Sequence, residues 1–192
     1  MPEKIRSFIA IPLPVDIKTH LACLIADLKK TGADVKWVKP ENIHLTLKFL
    51  GGQDPETLQK IRTILDKLAQ DYTDYVMEIS NVGGFPKLET PRVIWVGLSS
   101  GDKETKLIAK VLDEKINKLG IPKEERAFSS HITIGRVRSP LNRDKLVAGL
   151  KICAIPEGKL KFTADKITLY KSTLIPGGPV YEVIHETNLK KT

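Results

Sequence analysis

Cysteine is scarce in this chain of 192 residues: only Cys23 and Cys153 occur, with no CxxC spacing. A disulfide framework therefore has little support. Two buried free thiols in a reducing cytoplasm are expected, with Cys23 on the apolar stripe of a helix. No apolar run approaches transmembrane length, and Met1 to Arg6 lead straight into a strand-like segment without a signal peptide, so no membrane association is expected. Acidic residues fall short of basic ones, 23 against 31, leaving a net charge of +8. That excess draws polyanions, nucleic acid foremost, although a Lys-rich surface also serves solubility. Methionine and glutamine are also sparse beside lysine and glutamate, a lean toward heat-stable composition. The glycine pairs Gly51-Gly52 and Gly83-Gly84 lack the pattern of a phosphate loop, which counts against a triphosphate-dependent ligase and marks both pairs as turns.

What is present alternates strands with amphipathic helices. Ser7–Ile11 reads as a strand closed by Pro12 and Pro14. Ile17, Leu21, Leu24, Ile25 and Leu28 then form a helical stripe ending near Gly32. A strand from His44 breaks at Gly51-Gly52. Asp54-Pro55 caps a helix that buries Leu58, Ile61, Leu65 and Leu68. Strands follow at residues 75–82 and 93–98. A helix over 103–119 carries Leu107, Ile108, Val111, Leu112 and Leu119. The strand from His131 ends near Val137, Ser139-Pro140 opens a short helix, and two last strands span 161–171 and 180–187. Adjacent strands with interspersed helices indicate an α+β protein with largely antiparallel sheet. No long linker or charge block divides the chain, so residues 1–192 are expected to form one unit of two lobes.

Two segments far apart in the chain spell almost the same word: His44-Leu45-Thr46-Leu47 and His131-Ile132-Thr133-Ile134. In each, alternation puts His and Thr on one strand face and the aliphatics on the other. Facing each other, such strands would gather two imidazoles and two hydroxyls around one cavity, which suits acid–base chemistry on an anion. Imidazole serves as acid or base because both protonation states are accessible near neutrality. A zinc site on these histidines is disfavoured, since no Cys, Asp or Glu stands at ligand spacing beside either. His20 and His185 read as structural or exposed. Trp37, Phe85 and Tyr170 read as packing residues that could also stack on a base.

In wider context the tetrapeptides are more specific. The chain resembles the two-histidine (2H) phosphoesterases, and among them the RNA 2′,3′-cyclic phosphodiesterases long called 2′-5′ RNA ligases. The resemblance is carried by Arg6–Ile11, by Trp37 and Asn42–Gly51, by Gly84-Phe85-Pro86, by Pro91–Gly97, by His131–Arg136, and by Leu169–Ser172 with Tyr181. It implies a bilobed fold in which two mostly antiparallel sheets face a central cleft, with helices outside and a pseudo-two-fold axis between. It also implies a metal-independent enzyme without a cofactor, acting on RNA or oligonucleotide ends that carry a 2′,3′-cyclic phosphate; tRNA is one candidate substrate, and a monomer is the default expectation for the assembly. The product is a 2′-phosphate, and reversible 2′-5′ ligation is the older activity.

By the same resemblance His44 is the proton donor and His131 the proton acceptor, while Thr46 and Thr133 bind the phosphoryl oxygens. The two histidines are interchangeable on sequence grounds alone. Arg136 is a further phosphate ligand by its chemistry. Simple alternation turns it away from His131 unless Gly135 supplies a bulge. Arg138 reads as a solvated or RNA-facing charge. Two other readings stay open: a binder of RNA ends that does no chemistry, and a 2H phosphoesterase of small cyclic nucleotides.

Overall fold

The computed structural model describes residues 3–192 except 154 and 157. Nine strands and four helices are defined among them. In chain order these are β1 (Ile5–Pro12), α1 (Val15–Lys29), β2 (Val35–Trp37), β3 (His44–Gln53), α2 (Pro55–Ala69), β4 (Tyr75–Phe85) and β5 (Val93–Ser100). There follow α3 (Asp102–Asn117), β6 (Ile132–Val137), α4 (Arg143–Ile152), β7 (Lys161–Ala164), β8 (Lys166–Ile175) and β9 (Gly178–Asn188). A single 3-10 turn, Pro40–Asn42, precedes β3.

Two antiparallel sheets result, β3-β1-β8-β9 and β2-β6-β5-β4-β7. Their order reveals a duplication with exchange. The unit β1-α1-β3-α2-β4 is repeated as β5-α3-β6-α4-β8, and each unit gives its last strand to the other's sheet. Thus β3 and β6, the two His-x-Thr segments, occupy equivalent places beside β1 and β5. The two strands also approach each other in space, and Leu45, Leu47, Ile132 and Ile134 join one contiguous hydrophobic core.

The helices follow ordinary sequence logic. Asp54 accepts from the Thr57 amide at 2.8 Å and from its hydroxyl at 3.0 Å, with Pro55 in the first helical position. Helix α2 buries Leu58, Ile61, Leu65 and Leu68, as its period requires.

Several boundaries differ from expectation. β3 continues through Gly51-Gly52 to Gln53, because a bulge at Leu50 absorbs the irregularity and β1 still pairs with both glycines. β4 likewise runs through Gly83-Gly84 to Phe85. Residues 161–171 are two strands, not one: β7 ends at Ala164 in one sheet, and β8 begins at Lys166 in the other. Ser139-Pro140 opens a turn rather than α4. The helix starts three residues later, where Asn142 adopts a left-handed conformation and its amide donates to the Gly32 carbonyl at 2.9 Å. Leu107 is exposed, and so is Cys23, which sits roughly opposite the Ile17-Leu21-Ile25-Leu28 stripe of α1. Both cysteines are free.

Candidate active site

The two histidines are held in the same way. The Nδ1–H of His44 donates to the Asn42 carbonyl at 2.7 Å, and that of His131 to the Ser129 carbonyl at 2.8 Å. In both cases the acceptor lies two residues upstream. A carbonyl only accepts, so it fixes the proton on Nδ1 of the neutral ring and leaves Nε2 as the reactive nitrogen. In the first segment Nε2 lies 3.0 Å from the hydroxyl of Thr46.

A bulge follows the threonine in each strand. Ala10 pairs with Thr46 but Ile9 with Lys48, so Leu47 is the extra residue of β3. Trp95 pairs with Thr133 but Ile94 with Gly135, so Ile134 is the extra residue of β6. Two consecutive residues thus face the core, Leu47-Lys48 in one strand and Ile134-Gly135 in the other, and the alternation restarts beyond them. Arg136 consequently pairs with Val93 and shares the face of Thr133 and Trp95. The position before it must be very small, since a Cβ on Gly135 would lie 2.9 Å from the Trp37 ring and 2.8 Å from Val35. Arg136 is exposed, and its charge reaches Tyr181 of the other sheet, as does that of Arg6.

Around His44 the walls are aromatic. Phe8 stacks on the imidazole with ring centres 4.8 Å apart, and Tyr181 meets it edge-on at 5.4 Å. Tyr170 stacks on Phe8 at 5.2 Å and itself comes within 6.4 Å of the His44 ring. Although part of the His44 ring reaches the surface, this enclosure costs the imidazolium much of its hydration. Burial pulls its pKa down to about 4, the nearby Lys18 charge adds to the effect, and the Asn42 carbonyl opposes it. His44 of the free protein is therefore neutral at pH 7. Among the described residues His131 has one aromatic neighbour, Phe85, set edge-on at 5.1 Å and leaning on Trp95.

The structure therefore puts Thr46 beside His44, and Thr133 and Arg136 on the face of β6 that also bears Trp95 as β5's contribution. Phe85 and Tyr170 line the two histidines, whereas Trp37 packs against the core beside Gly135. His20 is exposed and bonds to its own helix, and His185 pairs with Asp66 at 2.6 Å. Arg138 is exposed. Among the described residues no cluster of three His, Cys, Asp or Glu side chains could hold a metal ion, and no helix is long and apolar enough to cross a membrane. Reasoning from sequence missed Phe8 and Lys18 as neighbours of His44. No local spacing announces either contact, since β1 pairs Phe8 with Phe49 and Pro12 with His44, and Lys18 lies on α1.

Comparison with known proteins agrees with the repeat seen in the fold. The family described as LigT-like phosphoesterase matches this chain twice, over residues 11–95 and 96–181. The RNA 2′,3′-cyclic phosphodiesterase of Methanocaldococcus jannaschii is 40% identical over 182 residues, covering 94% of this chain and 99% of that one. The Methanothermobacter thermautotrophicus protein of the same name is 32% identical, covering 93% and 95%. Among solved structures, TT0787 of Thermus thermophilus superposes with a TM-score of 0.80 at 26% identity, over 97% of this chain and 99% of that one.

Proposed function

Because this chain belongs to the LigT-like phosphoesterase family, we propose that it hydrolyses 2′,3′-cyclic phosphates at RNA or oligonucleotide ends to 2′-phosphomonoesters. One observation carries the reading: two equivalent strands each present a tautomer-fixed imidazole, with a threonine hydroxyl two residues on along the same face. Hydrolysis of the ring requires a base for water and, on the other side of phosphorus, an acid for the departing 3′ oxygen. His131 takes the proton of the attacking water at Nε2, and His44 delivers a proton from Nε2 to O3′. The P–O3′ bond breaks as the bond to the water oxygen forms, leaving the phosphate on O2′.

His44 is neutral in the free protein, so its proton must arrive with the substrate. The negative phosphate offsets the lost hydration and raises the imidazole pKa. Protonation also redirects Thr46. While Nε2 is bare, the Thr46 hydroxyl donates to it; once Nε2 carries a proton, that hydroxyl is free to donate to a phosphoryl oxygen. Thr133 donates its hydroxyl to a phosphoryl oxygen from the other strand, and Arg136 grips the phosphate as negative charge accumulates. The reaction needs no metal or cofactor. The protein acts as a cytoplasmic monomer, with tRNA ends among its substrates and reversible 2′-5′ joining, in which a 5′ hydroxyl takes the place of water at phosphorus, as a second activity.

The test is a cyclic-phosphate-terminated oligonucleotide in excess EDTA, with the phosphate position of the product identified. Turnover to the 2′-phosphate is expected. His44→Ala and His131→Ala should each lose about 10²-fold or more. Binding without turnover would replace this reading with that of an RNA-end binder, and turnover confined to mononucleotides with that of a small-nucleotide esterase.

A further inference from the structure

A cavity of about 210 Å³ opens beside His44, bounded by α1, the 3-10 turn and the tip of the β8–β9 hairpin. Lys18, Lys39, Glu41, Asn42, His44 and Tyr181 give it its chemistry. Its outer wall is already in place, because the Asn42 amide donates to the Pro179 carbonyl at 2.7 Å and pins the hairpin to the turn. The same residue's carbonyl orients His44. Wall and imidazole are thus tied to a single residue.

The cavity is below the ~300 Å³ at which pockets begin to take whole small molecules. It suits part of a longer ligand whose remainder lies in the cleft. Lys18 and Lys39 make no ion pair among the described residues, and of the lysines without one there only Lys18 is partly buried. Lys18 bonds only to the backbone carbonyl of Glu41, at 3.3 Å, and keeps N–H donors to spare. It is partly buried, and loss of hydration lowers its pKa, with the Glu41 carboxylate opposing that from a distance. A half-desolvated cation with unused donors is well disposed to receive an anion.

We propose that this cavity is a subsite for the RNA phosphodiester on the 5′ side of the terminal nucleoside, bound by Lys18 and Lys39. The assignment rests on the functional reading above, in which O3′ departs toward His44. That direction puts the terminal ribose on the His44 side of the phosphate, and the chain leading away from its 5′ oxygen then enters the cavity. The lysines thereby select oligonucleotide ends over free cyclic mononucleotides. Glu41, on the same turn, disfavours an anion at the outer rim and confines it to the side of Lys18.

Two substrates separate the outcomes: uridine 2′,3′-cyclic phosphate, which has no 5′ phosphate, and a dinucleotide ending in the same group. Wild-type protein should prefer the dinucleotide. The Lys18→Ala/Lys39→Ala double variant should lose about tenfold more in kcat/KM on the dinucleotide than on the mononucleotide, mostly through KM, any change common to both substrates being the effect of the Lys18 charge on His44. Equal losses on both, or none, would overturn the subsite. Calorimetric titration with the 2′-phosphate forms of the two nucleotides gives a second readout that needs no turnover. Lysine-dependent tightening of the dinucleotide alone is expected there, and its absence sinks the proposal. If wild type turned over neither substrate, the catalytic reading would fail while this titration still decided the subsite.

Discussion

The ammonium of Lys48 lies 2.5 Å from the carboxylate of Asp113 and 3.0 Å from the Pro122 carbonyl, joining β3 to α3 and to the segment that leads toward His131. The lysine side chain is 1% exposed and the aspartate 22%. The bulge at Leu47 turns Lys48 inward two residues after Thr46, so this pair ties the first His-x-Thr strand to α3 and to the loop that precedes β6. Its two ends should respond unequally to mutation. Asp113→Ala strands a buried cation and is expected to cost about 3 to 5 kcal/mol, whereas Lys48→Met fills the space with hydrocarbon and leaves a carboxylate that water can reach. Denaturant unfolding of both variants checks this, and equal losses would count against it.

His44 makes stability depend on pH. Its folded pKa, about 4, lies below the ordinary 6.5, so between those values the unfolded chain binds the proton more readily. The contribution is fully present above pH 6.5 and is lost as pH falls toward 4. His44→Gln should therefore flatten that part of the melting profile while leaving the profile above about pH 7 unchanged. A variant with the wild-type acid slope would show that the ring is not the source.

The same depressed pKa predicts proton uptake on anion binding. Sulfate has no titration of its own near neutrality, so any proton taken up at neutral pH comes to the protein. Calorimetry in two buffers of different ionisation enthalpy should show uptake for the wild type and none for His44→Gln. Equal uptake in both would remove substrate-assisted protonation from the mechanism.

Gly83 is a position of enforced closeness. A Cβ there would run into the Trp95 ring, far inside contact distance. Trp95 pairs directly with Thr133, so displacing the indole disturbs the strand that bears the candidate site. Gly83→Ala is expected to cost about 1 to 3 kcal/mol, to shift tryptophan fluorescence and to lower phosphoesterase activity. Unchanged emission would mean that the indole yields at no cost.

Much of this was legible in local pattern. The paired His-x-Thr words needed only strand alternation, and α2 announced itself through Asp54-Pro55 and its stripe. What stayed hidden depends on contacts between distant residues. The alternation over residues 161–171 reads as one strand, and only the pairing of Ala164 with Tyr75 and of Thr168 with Ala10 splits it between sheets. Cys23 looked apolar enough to join a stripe whose true phase is set by what α1 packs against. Lys18 and Tyr181 reach His44 from opposite ends of the chain, so no spacing could announce them.

Arg136 is the sharpest case of geometry overruling alternation, and it can be tested without an activity assay. The extra residue Ile134 returns the guanidinium to the face of Thr133, where its charge acts on Tyr181 of the other sheet. Burial raises the Tyr181 pKa, while Arg136 and Arg6 hold it down. Removing the guanidinium in Arg136→Ala must then let the phenol rise further, visible as a later titration of one of the four tyrosines in ring-labelled NMR spectra. Arg136→Lys keeps a charge nearby and should restore most of the original value, yet it lacks the planar fork for a phosphate and should still bind the 2′-phosphate product more weakly. A tyrosine spectrum indifferent to Arg136→Ala would mean that the guanidinium points away from the other sheet, and its place in the site would be lost.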